Sequence, residues 1–370
     1  MGGGDEAGIG GRAPGARLSG LETAMVRQAF AVSLLSVLAG GCTAVPPCYP
    51  PAYFAPPSGA PYVAEETRIV AEAGHVLAGT LTLPTDVEPP LPAVVLITGS
   101  KAQNRDHVAT NRKPFSAYRP FRQIADALSR RGIAVLRMDD RGIGCSGGGP
   151  LVQVTMSERA DDTRAGLELL ASRPDIDPRR LGLLGLSEGA NIAMLIASTD
   201  PSIKAIVTLA GTATPGWDVY VSQQWHLARN DIFTDRERER LAAGVDVETV
   251  LAERTRRFRR DVARGKWGPW WRQFLEVDPS VYARGVSSPA LVLHGDRDSN
   301  VPVAHAEMIA AAMRAGGNED VTVEILAGHN HLLLEDPDGF FRRYRELLNH
   351  TNQISEDILT RITDWLVQRL

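Results

Sequence analysis

Cysteine is scarce in this chain, whose 370 residues include only Cys42, Cys48 and Cys145. Three cysteines form at most one disulfide and match no metal-binding spacing, so a disulfide framework and a cysteine metal site are excluded. An excess of positive charge is also missing, because 40 Lys and Arg face 44 Asp and Glu, for a net charge of -4. Binding to nucleic acid draws on basic groups that neutralise phosphates. We therefore expect no nucleic-acid partner.

The N-terminal region lacks a hydrophobic run long enough to cross a membrane. Its apolar stretch, residues 29–38, is shorter than the roughly 20 residues of a spanning helix. Arg27 precedes the stretch and small residues lead from it to Cys42, which is typical of a secretory signal. LAGGC resembles the lipobox of bacterial lipoproteins, in which the cysteine is acylated, and Met25 is an alternative start to Met1. We expect an exported bacterial protein, either membrane-anchored or periplasmic; plain secretion and an accidental apolar start are the alternatives.

Residues 1–42 are accordingly predicted as a leader and residues 43–63 as a tether. The tether holds seven prolines, which restrict φ and remove backbone donors, so we expect a stiff, extended segment. A disordered tail without a role is the alternative. If Cys42 is acylated, Cys48 and Cys145 remain as one possible pair that links the tether to the following domain.

From residue 64 onward, strand-like and helix-like segments alternate. Alternating apolar residues from Thr67 predict an antiparallel hairpin, and the continuous apolar runs that follow are typical of strands buried on both faces. Such strands are predicted at 93–99, 133–139, 180–187, 204–211, 289–295 and 321–328, with helices at 120–132 and 158–172, from 188, at 303–315 and from 356. This order predicts an α/β domain over 64–370 with a mostly parallel central sheet and helices on both faces.

The interval from about 212 to 288 breaks this alternation. It is polar and helix-prone, and it contains five of the six tryptophans of the chain. We interpret it as a helical cap insertion that folds over the carboxyl edge of the sheet. The five are Trp217, Trp225, Trp267, Trp270 and Trp271.

GLSEG, residues 185–189, places Ser187 between two glycines after a buried strand and before a helix. A G-x-S-x-G turn in that context is a nucleophile elbow, in which glycine permits a very tight bend. The N–H of Glu188 begins the helix without a helical partner and can donate to an oxyanion. A glycine-rich connection without chemistry is the alternative.

A serine hydroxyl becomes a nucleophile when a histidine, oriented by a carboxylate, accepts its proton. Asp298 follows the strand at 289–295, and His331 or His329 follows the strand at 321–328. The order Ser, Asp, His, with each residue after its own strand, is the order of this architecture. The sequence therefore predicts a Ser-His-Asp triad.

Together these segments resemble the α/β-hydrolase fold, and more closely the bacterial serine esterases grouped with dienelactone-hydrolase and prolyl-oligopeptidase-like domains. The resemblance runs from the hairpin at Thr67 to the C-terminus. Besides GLSEG, it is carried by ITGSKAQNRD, KPFSAYRPFRQIADALSRRGIAVLRMDDRGIGCSGG, WWRQFLEVDPSVYARGVSSPALVLHGDRDSNVP and AGHNHLLLE.

The resemblance assigns roles to particular residues of the triad. It implies that Asp298 is the acid, not Asp296, because the acid precedes the valine of the V-P pair by three residues. It implies that His331, in the N-H-L position, is the base, with His329 as the weaker candidate.

The resemblance also implies an oxyanion hole formed by the backbone N–H groups of Glu188 and Ser100. Thr98 stands where many family members have histidine, and Lys101 stands where a small residue is common. Lys101 either pairs with an acidic group of the substrate or is a solvent-facing loop lysine.

Three residues at the end of the strand at 133–139 and directly after it are predicted to have a structural role. Asp139, Asp140 and Arg141 are expected to hold the loop that comes after this strand.

The implied function is a serine carboxylic-ester hydrolase that forms an acyl-enzyme with small to medium acyl esters. It requires no metal or organic cofactor, and its partner is a small-molecule ester. An acyltransferase, a peptidase and a non-catalytic ligand-binding lipoprotein are the alternatives, and the oligomeric state is open. The cap tryptophans either form an acyl pocket or pack the cap on itself. The basic segment 253–266 either contacts anionic headgroups or forms a solvated helix face.

Overall fold

A computed structural model describes residues 49–108, 114–150, 153–339 and 344–370. The leader and the lipidation site Cys42 lie outside these residues and stay predictions. Cys145 is disulfide-bonded, and the other two cysteines of the chain lie outside the described residues. Among the described residues, none of the helices has the length and apolar character needed to cross a membrane.

Eight strands form one sheet in the order β1-β2-β4-β3-β5-β6-β7-β8. They are β1 Tyr62–Val70, β2 Val76–Pro84, β3 Leu91–Ile97, β4 Ala134–Met138, β5 Ile176–Leu186, β6 Ala205–Leu209, β7 Ala290–Gly295 and β8 Val321–Leu326. β2 pairs antiparallel with β1 and β4, and all other neighbours are parallel. The predicted hairpin and the mostly parallel sheet are both confirmed.

The described residues form eleven α-helices. They are α1 Pro120–Ser129, α2 Met156–Ser172, α3 Glu188–Ala197, α4 Gly216–Arg229, α5 Asp235–Ala242, α6 Val247–Ala263, α7 Gly268–Glu276, α8 Pro279–Gly285, α9 Ala304–Ala315, α10 Tyr344–His350 and α11 Glu356–Val367. The sequence predicts neither α10 nor the 3-10 turns at Pro51–Tyr53 and Phe115–Ala117.

Hydrophobic side chains cover both faces of the sheet, because successive side chains of a buried strand point to opposite sides. In β3, Val94 and Leu96 pack in a cluster with residues of α1 and α11. Val95 packs in a second cluster with residues of α2, α3, α8 and α9. The sheet is therefore covered by helices on both faces, as predicted.

The interval 212–288 contains five helices that pack in two different ways. α4, α6 and α7 share an aromatic cluster of their own, and a second cluster joins α5 to α6. α8, although inside the predicted cap interval, places Ala283 in the main core. The independent cluster is consistent with a cap built from α4 to α7.

The described end of the predicted tether packs on the domain. Phe54 is buried, with 3% of its surface exposed, and the guanidinium of Arg105 lies 4.1 Å from its ring centroid. The Arg119 guanidinium lies 3.9 Å from the ring of Tyr53 and donates to the Tyr53 carbonyl at 2.7 Å. Residues 49–61 thus differ from the stiff, extended tether that their prolines predict, because their aromatic side chains contact the domain.

Candidate active site

The turn from β5 to α3 holds Ser187 in a strained backbone conformation, with φ 58° and ψ -120°. A side chain makes positive φ unfavourable. A Cβ on Gly185 would lie 2.0 Å from the Gly189 carbonyl oxygen, and one on Gly189 would lie 2.1 Å from the Ile97 carbonyl oxygen. The bend therefore requires glycine on both sides of Ser187, as the G-x-S-x-G pattern predicts.

Two backbone N–H groups next to this bend, those of Glu188 and Ser100, hydrogen-bond no other described group. Glu188 begins α3, where the helix dipole is positive. Ser100 lies in the loop after β3, and this loop approaches the elbow at Gly99, where a Cβ would be 3.3 Å from Ser187 Cβ. The two N–H groups are thus free to bind an oxygen that gains negative charge during a reaction.

Asp298 and His331 form a buried pair. The Nδ1 atom of His331 lies 2.7 Å from Oδ2 of Asp298, whose Oδ1 accepts N–H bonds from Asn300 and Val301 at 2.8 and 2.9 Å. Burial acts to raise the pKa of Asp298, but the imidazoles of His331 and His294 outweigh it and hold this pKa below its ordinary value. Asp298 is therefore an ionised carboxylate that orients the His331 ring.

The two weaker candidates have other partners. Oδ1 of Asp296 accepts the N–H of Gly328 at 2.7 Å, and Nδ1 of His329 lies 2.8 Å from the Ala327 carbonyl oxygen. The structure therefore brings His331, and not His329, to Asp298.

Ser187 and His331 share no hydrogen bond among the described residues. Catalytic hydrogen bonds are often long before substrate binds and tighten in the complex.

A histidine that the sequence does not single out, His107, lies beside the loop after β3, where this loop approaches Ser187. Its Nδ1 atom is 3.4 Å from the Gly99 nitrogen, and its Cε1 atom would be 3.2 Å from a Cβ on Gly99. His107 lies in a loop and has itself a φ of 65°. No strand end or motif marks this position, so its place at the site depends on the conformation of the loop. The one sequence feature that points to His107 is its closeness to the loop after β3.

No sequence pattern singles out His294 of β7 either. Its Nε2 atom lies 3.2 Å from Asp298 Oδ2 and 3.0 Å from the Val301 carbonyl oxygen. It contacts Asp298 from inside the sheet. Among the described residues, no group of three or more His, Cys, Asp or Glu side chains is placed to hold a metal ion.

Buried ion pairs hold the loop after β3. Arg105 donates to Asp139 through Nη2 at 2.8 Å and to Glu66 through Nη1 at 2.7 Å. The neighbouring Asp106 pairs with Arg137 and Arg119. Four charged side chains of this loop and of the end of β4 are at most 2% exposed. They are Arg105, Asp106, Arg137 and Asp139.

Asp140 joins the same loop to the elbow. It accepts the Thr98 hydroxyl at 2.6 Å and the Gln103 N–H at 2.9 Å. Arg159 lies 3.5 Å from Asp140 and 2.9 Å from Glu188. Asp139 and Asp140 therefore have structural roles, but their carboxylates hold the loop after β3 rather than the predicted loop after β4.

Arg141 instead pairs with Asp162 of α2 at 2.9 Å. Lys101 is exposed, with φ 74°.

The cap contacts the elbow through one tryptophan. The indole N–H of Trp270 donates to Oε1 of Glu188 at 2.8 Å. Trp217, Trp267 and Trp271 instead pack inside the cap cluster, and Trp225 is 38% exposed. Packing of the cap therefore accounts for these three, and the Trp270 ring also stacks on Phe274 of α7, with 5.1 Å between the centroids.

The model of a hydrolase family described as serine aminopeptidase, S33, matches residues 116–338. A monoacylglycerol lipase of Mycolicibacterium smegmatis is 24% identical over 266 residues, which cover 68% of this chain and 84% of that protein. The esterase FrsA of Yersinia pestis is 29% identical over 150 residues, covering 40% of this chain and 32% of that protein. A thiohydrolase of Arthrinium phaeospermum is 28% identical over 95 residues. The chain spans about a third of the length of the last two relatives.

Solved structures share the fold at low sequence identity. An esterase of Pyrococcus furiosus superimposes with a TM-score of 0.56 at 16% identity, covering 88% of this chain and 97% of that one. The 2,6-dihydroxy-pseudo-oxynicotine hydrolase superimposes with a TM-score of 0.51 at 18% identity, covering 83% of this chain and 68% of that one.

Proposed function

Because the chain belongs to the serine aminopeptidase S33 family of hydrolases, and is therefore an α/β-hydrolase-fold serine hydrolase, we propose that it cleaves carboxylic esters with Ser187, His331 and Asp298. The observation that carries the proposal is the buried Asp298–His331 pair on the same sheet edge as the strained Ser187 elbow. The lipase and esterase relatives support an ester as the substrate class.

The proposed reaction begins with a proton transfer. Since Asp298 accepts the Nδ1–H of His331, the neutral ring presents Nε2 as the base. Nε2 takes the hydroxyl proton of Ser187 while Oγ attacks the ester carbonyl. His331 then gives this proton to the alcohol oxygen, and the alcohol leaves.

Water completes the cycle. His331 takes a proton from a water molecule, whose oxygen attacks the acyl group on Ser187, and returns the proton to Oγ as the acid leaves. In both steps the carbonyl oxygen becomes negative, and we assign the N–H groups of Glu188 and Ser100 to bind it. Each such donor is worth about 10²- to 10³-fold in kcat.

The test uses the chain from Ala44, because residues 44–370 form one compact unit and Phe54 is buried in it. A fluorophosphonate probe labels an activated serine, and p-nitrophenyl acetate, butyrate and octanoate report ester turnover. We expect Ser187→Ala to abolish both labelling and turnover. The exposed Ser202→Ala is the matched control and is expected to behave like the wild type.

The same experiment separates the other possible reactions. An amino-acid p-nitroanilide tests for peptidase activity, which the family description suggests. A wild-type protein that is labelled at Ser187 and cleaves the anilide in preference to the esters would contradict ester hydrolysis as the main activity. An unlabelled wild type without turnover would reject the triad.

A further inference from the structure

His107 occupies a defined position beside the proposed nucleophile. The point where Gly99 would carry a Cβ lies 3.2 Å from His107 Cε1 and 3.3 Å from Ser187 Cβ. The imidazole and the serine side chain therefore flank the same small space, next to Ser100 in the chain. The His107 ring packs against Phe121 with 4.9 Å between the centroids, which restricts its rotation.

The hydrogen bonding of His107 sets which ring nitrogen carries the proton. The Gly99 N–H donates to Nδ1 at 3.4 Å, so the neutral ring bears its hydrogen on Nε2. Nε2 has no partner among the described residues, and the residue is half-buried rather than enclosed. An N–H donor thus remains available at the site.

The surroundings also keep this ring neutral. Burial lowers the pKa of His107 to about 3, and electrostatic repulsion from Arg159, and from His331 when it carries a proton, adds to the effect. A group that is neutral throughout the working pH range is a poor base, but it donates a hydrogen bond at every such pH.

We propose that His107 is a catalytic residue of the ester hydrolysis, and that its Nε2–H binds the substrate oxygen that becomes negative, beside the N–H groups of Glu188 and Ser100. The proposal rests on the proposed function. No atom is transferred by His107, because it stabilises the oxyanion while Ser187 and His331 make and break the bonds. His107 would thus supply a third donor in a hole whose loop departs from the family pattern at Thr98 and Lys101.

Two substitutions separate the two nitrogens of the ring. His107→Asn keeps an acceptor near the position of Nδ1, and asparagine tolerates the φ of 65°, but it removes the donor at Nε2. His107→Gln places an amide N–H near the position of Nε2. We measure kcat and KM with p-nitrophenyl butyrate, melting temperature, the pH dependence of kcat/KM, and inhibition by a trifluoromethyl ketone, which forms an oxyanion adduct on serine.

We expect His107→Asn to lower kcat by about 10²-fold, with KM and the melting temperature close to those of the wild type. Its affinity for the ketone should fall by the same factor as kcat/KM. His107→Gln should recover at least about tenfold of this loss, as expected when one donor replaces another. All three proteins should share one pH profile, because the wild-type ring does not titrate in the working range.

Three results would overturn the proposal. His107→Asn with wild-type kcat would show that Nε2–H is not used. Equal losses in both variants, together with lower melting temperatures, would assign His107 a packing role only. A changed pH profile would identify it as a base. In each of these three results the wild type still cleaves the ester, so only the role of His107 is rejected. A wild type without ester turnover would instead overturn the proposed function.

Discussion

The elbow and the loop after β3 each present one backbone N–H to the proposed oxyanion, but they are held in place by different forces. The elbow is held by backbone contacts that leave no room for a side chain at Gly185 and Gly189. The loop is held by buried charges on Arg105 and Asp106, which pair with Glu66 of β1, with Arg137 and Asp139 at the end of β4, and with Arg119 directly before α1. Steric exclusion thus holds the elbow in place, and electrostatic attraction holds the loop after β3.

This difference has an energetic consequence. An overlap between a new side chain and the backbone cannot be relieved by a small shift, because the core is close-packed and neither the strand nor the helix has room to move. A buried ion pair can lose one partner while the chain keeps its path, at the cost of an unpaired buried charge. We therefore expect damage to the elbow to affect folding, and damage to the loop to affect stability and catalysis in a folded protein.

The largest effect is expected for Gly189→Ala. Its Cβ would lie 2.1 Å from the Ile97 carbonyl oxygen, and relieving that overlap requires β3 and α3 to separate. We expect a loss of more than about 5 kcal/mol in the free energy of unfolding, enough to prevent accumulation of folded protein. The measurement is soluble yield followed by urea denaturation.

The matched control for Gly189→Ala is Gly147→Ala. A Cβ at Gly147 would meet its nearest atom at 3.6 Å, so we expect a change within about 0.5 kcal/mol. Gly189→Ala protein that folds and is labelled like the wild type would show that sterics do not hold the elbow.

A smaller effect is expected for Asp139→Asn, which leaves Arg105 with Glu66 as its remaining charged partner. We expect a loss of about 3 kcal/mol in the free energy of unfolding, as for other broken buried pairs. Because the loop that carries Ser100 loosens, labelling of Ser187 by a fluorophosphonate should slow while the protein remains folded.

Asp364→Asn is the control for Asp139→Asn, since it removes a pair with Arg131 in which both side chains are 47% exposed. We expect about 1 kcal/mol or less from this surface pair. If the two variants lose equal stability, buried charge is not what holds the loop.

The smallest effect is expected at Asp140, which links the loop to the elbow through Arg159. Burial raises the pKa of Asp140 to about 6, against the opposing charge of Arg159. The native protein therefore binds a proton at Asp140 at a higher pH than the unfolded chain does. Protonation of Asp140 adds to the free energy of unfolding as pH falls through about 6, and this contribution is lost as pH rises through the same value.

Asp140→Asn should remove that dependence. Relative to the variant, the wild type should gain on the order of 1 kcal/mol in the free energy of unfolding between pH 7.5 and 4.5. Urea denaturation at both pH values measures the difference. A wild-type-minus-variant difference that stays constant, or that changes with the opposite sign, would contradict the raised pKa.

The elbow was predictable from five residues because its requirements are local. The glycines, the serine and the following helix lie in one continuous stretch, and steric exclusion acts between chain neighbours and one adjacent strand. The Asp298–His331 pair was predictable for a related reason, since both residues follow parallel strands whose carboxyl ends share one edge of the sheet.

The loop was less predictable because its partners are far apart in the chain. Glu66 and Asp139 meet Arg105 only after β1, β2 and β4 have paired. The same reason hid His107, whose place at the site depends on a loop conformation, and Phe54, which packs on Arg105 although prolines surround it in the sequence.

By itself the sequence determined the α/β-hydrolase architecture, the elbow, and the positions of Asp298 and His331 after parallel strands, because hydrophobic periodicity and glycine placement act over a few residues. Only the tertiary structure decided that His331 rather than His329 meets Asp298, that Trp270 of the cap binds Glu188, and that His107 lies beside Ser187. Each of these contacts joins side chains from separate elements, and their distance depends on how the whole sheet packs rather than on spacing along the chain.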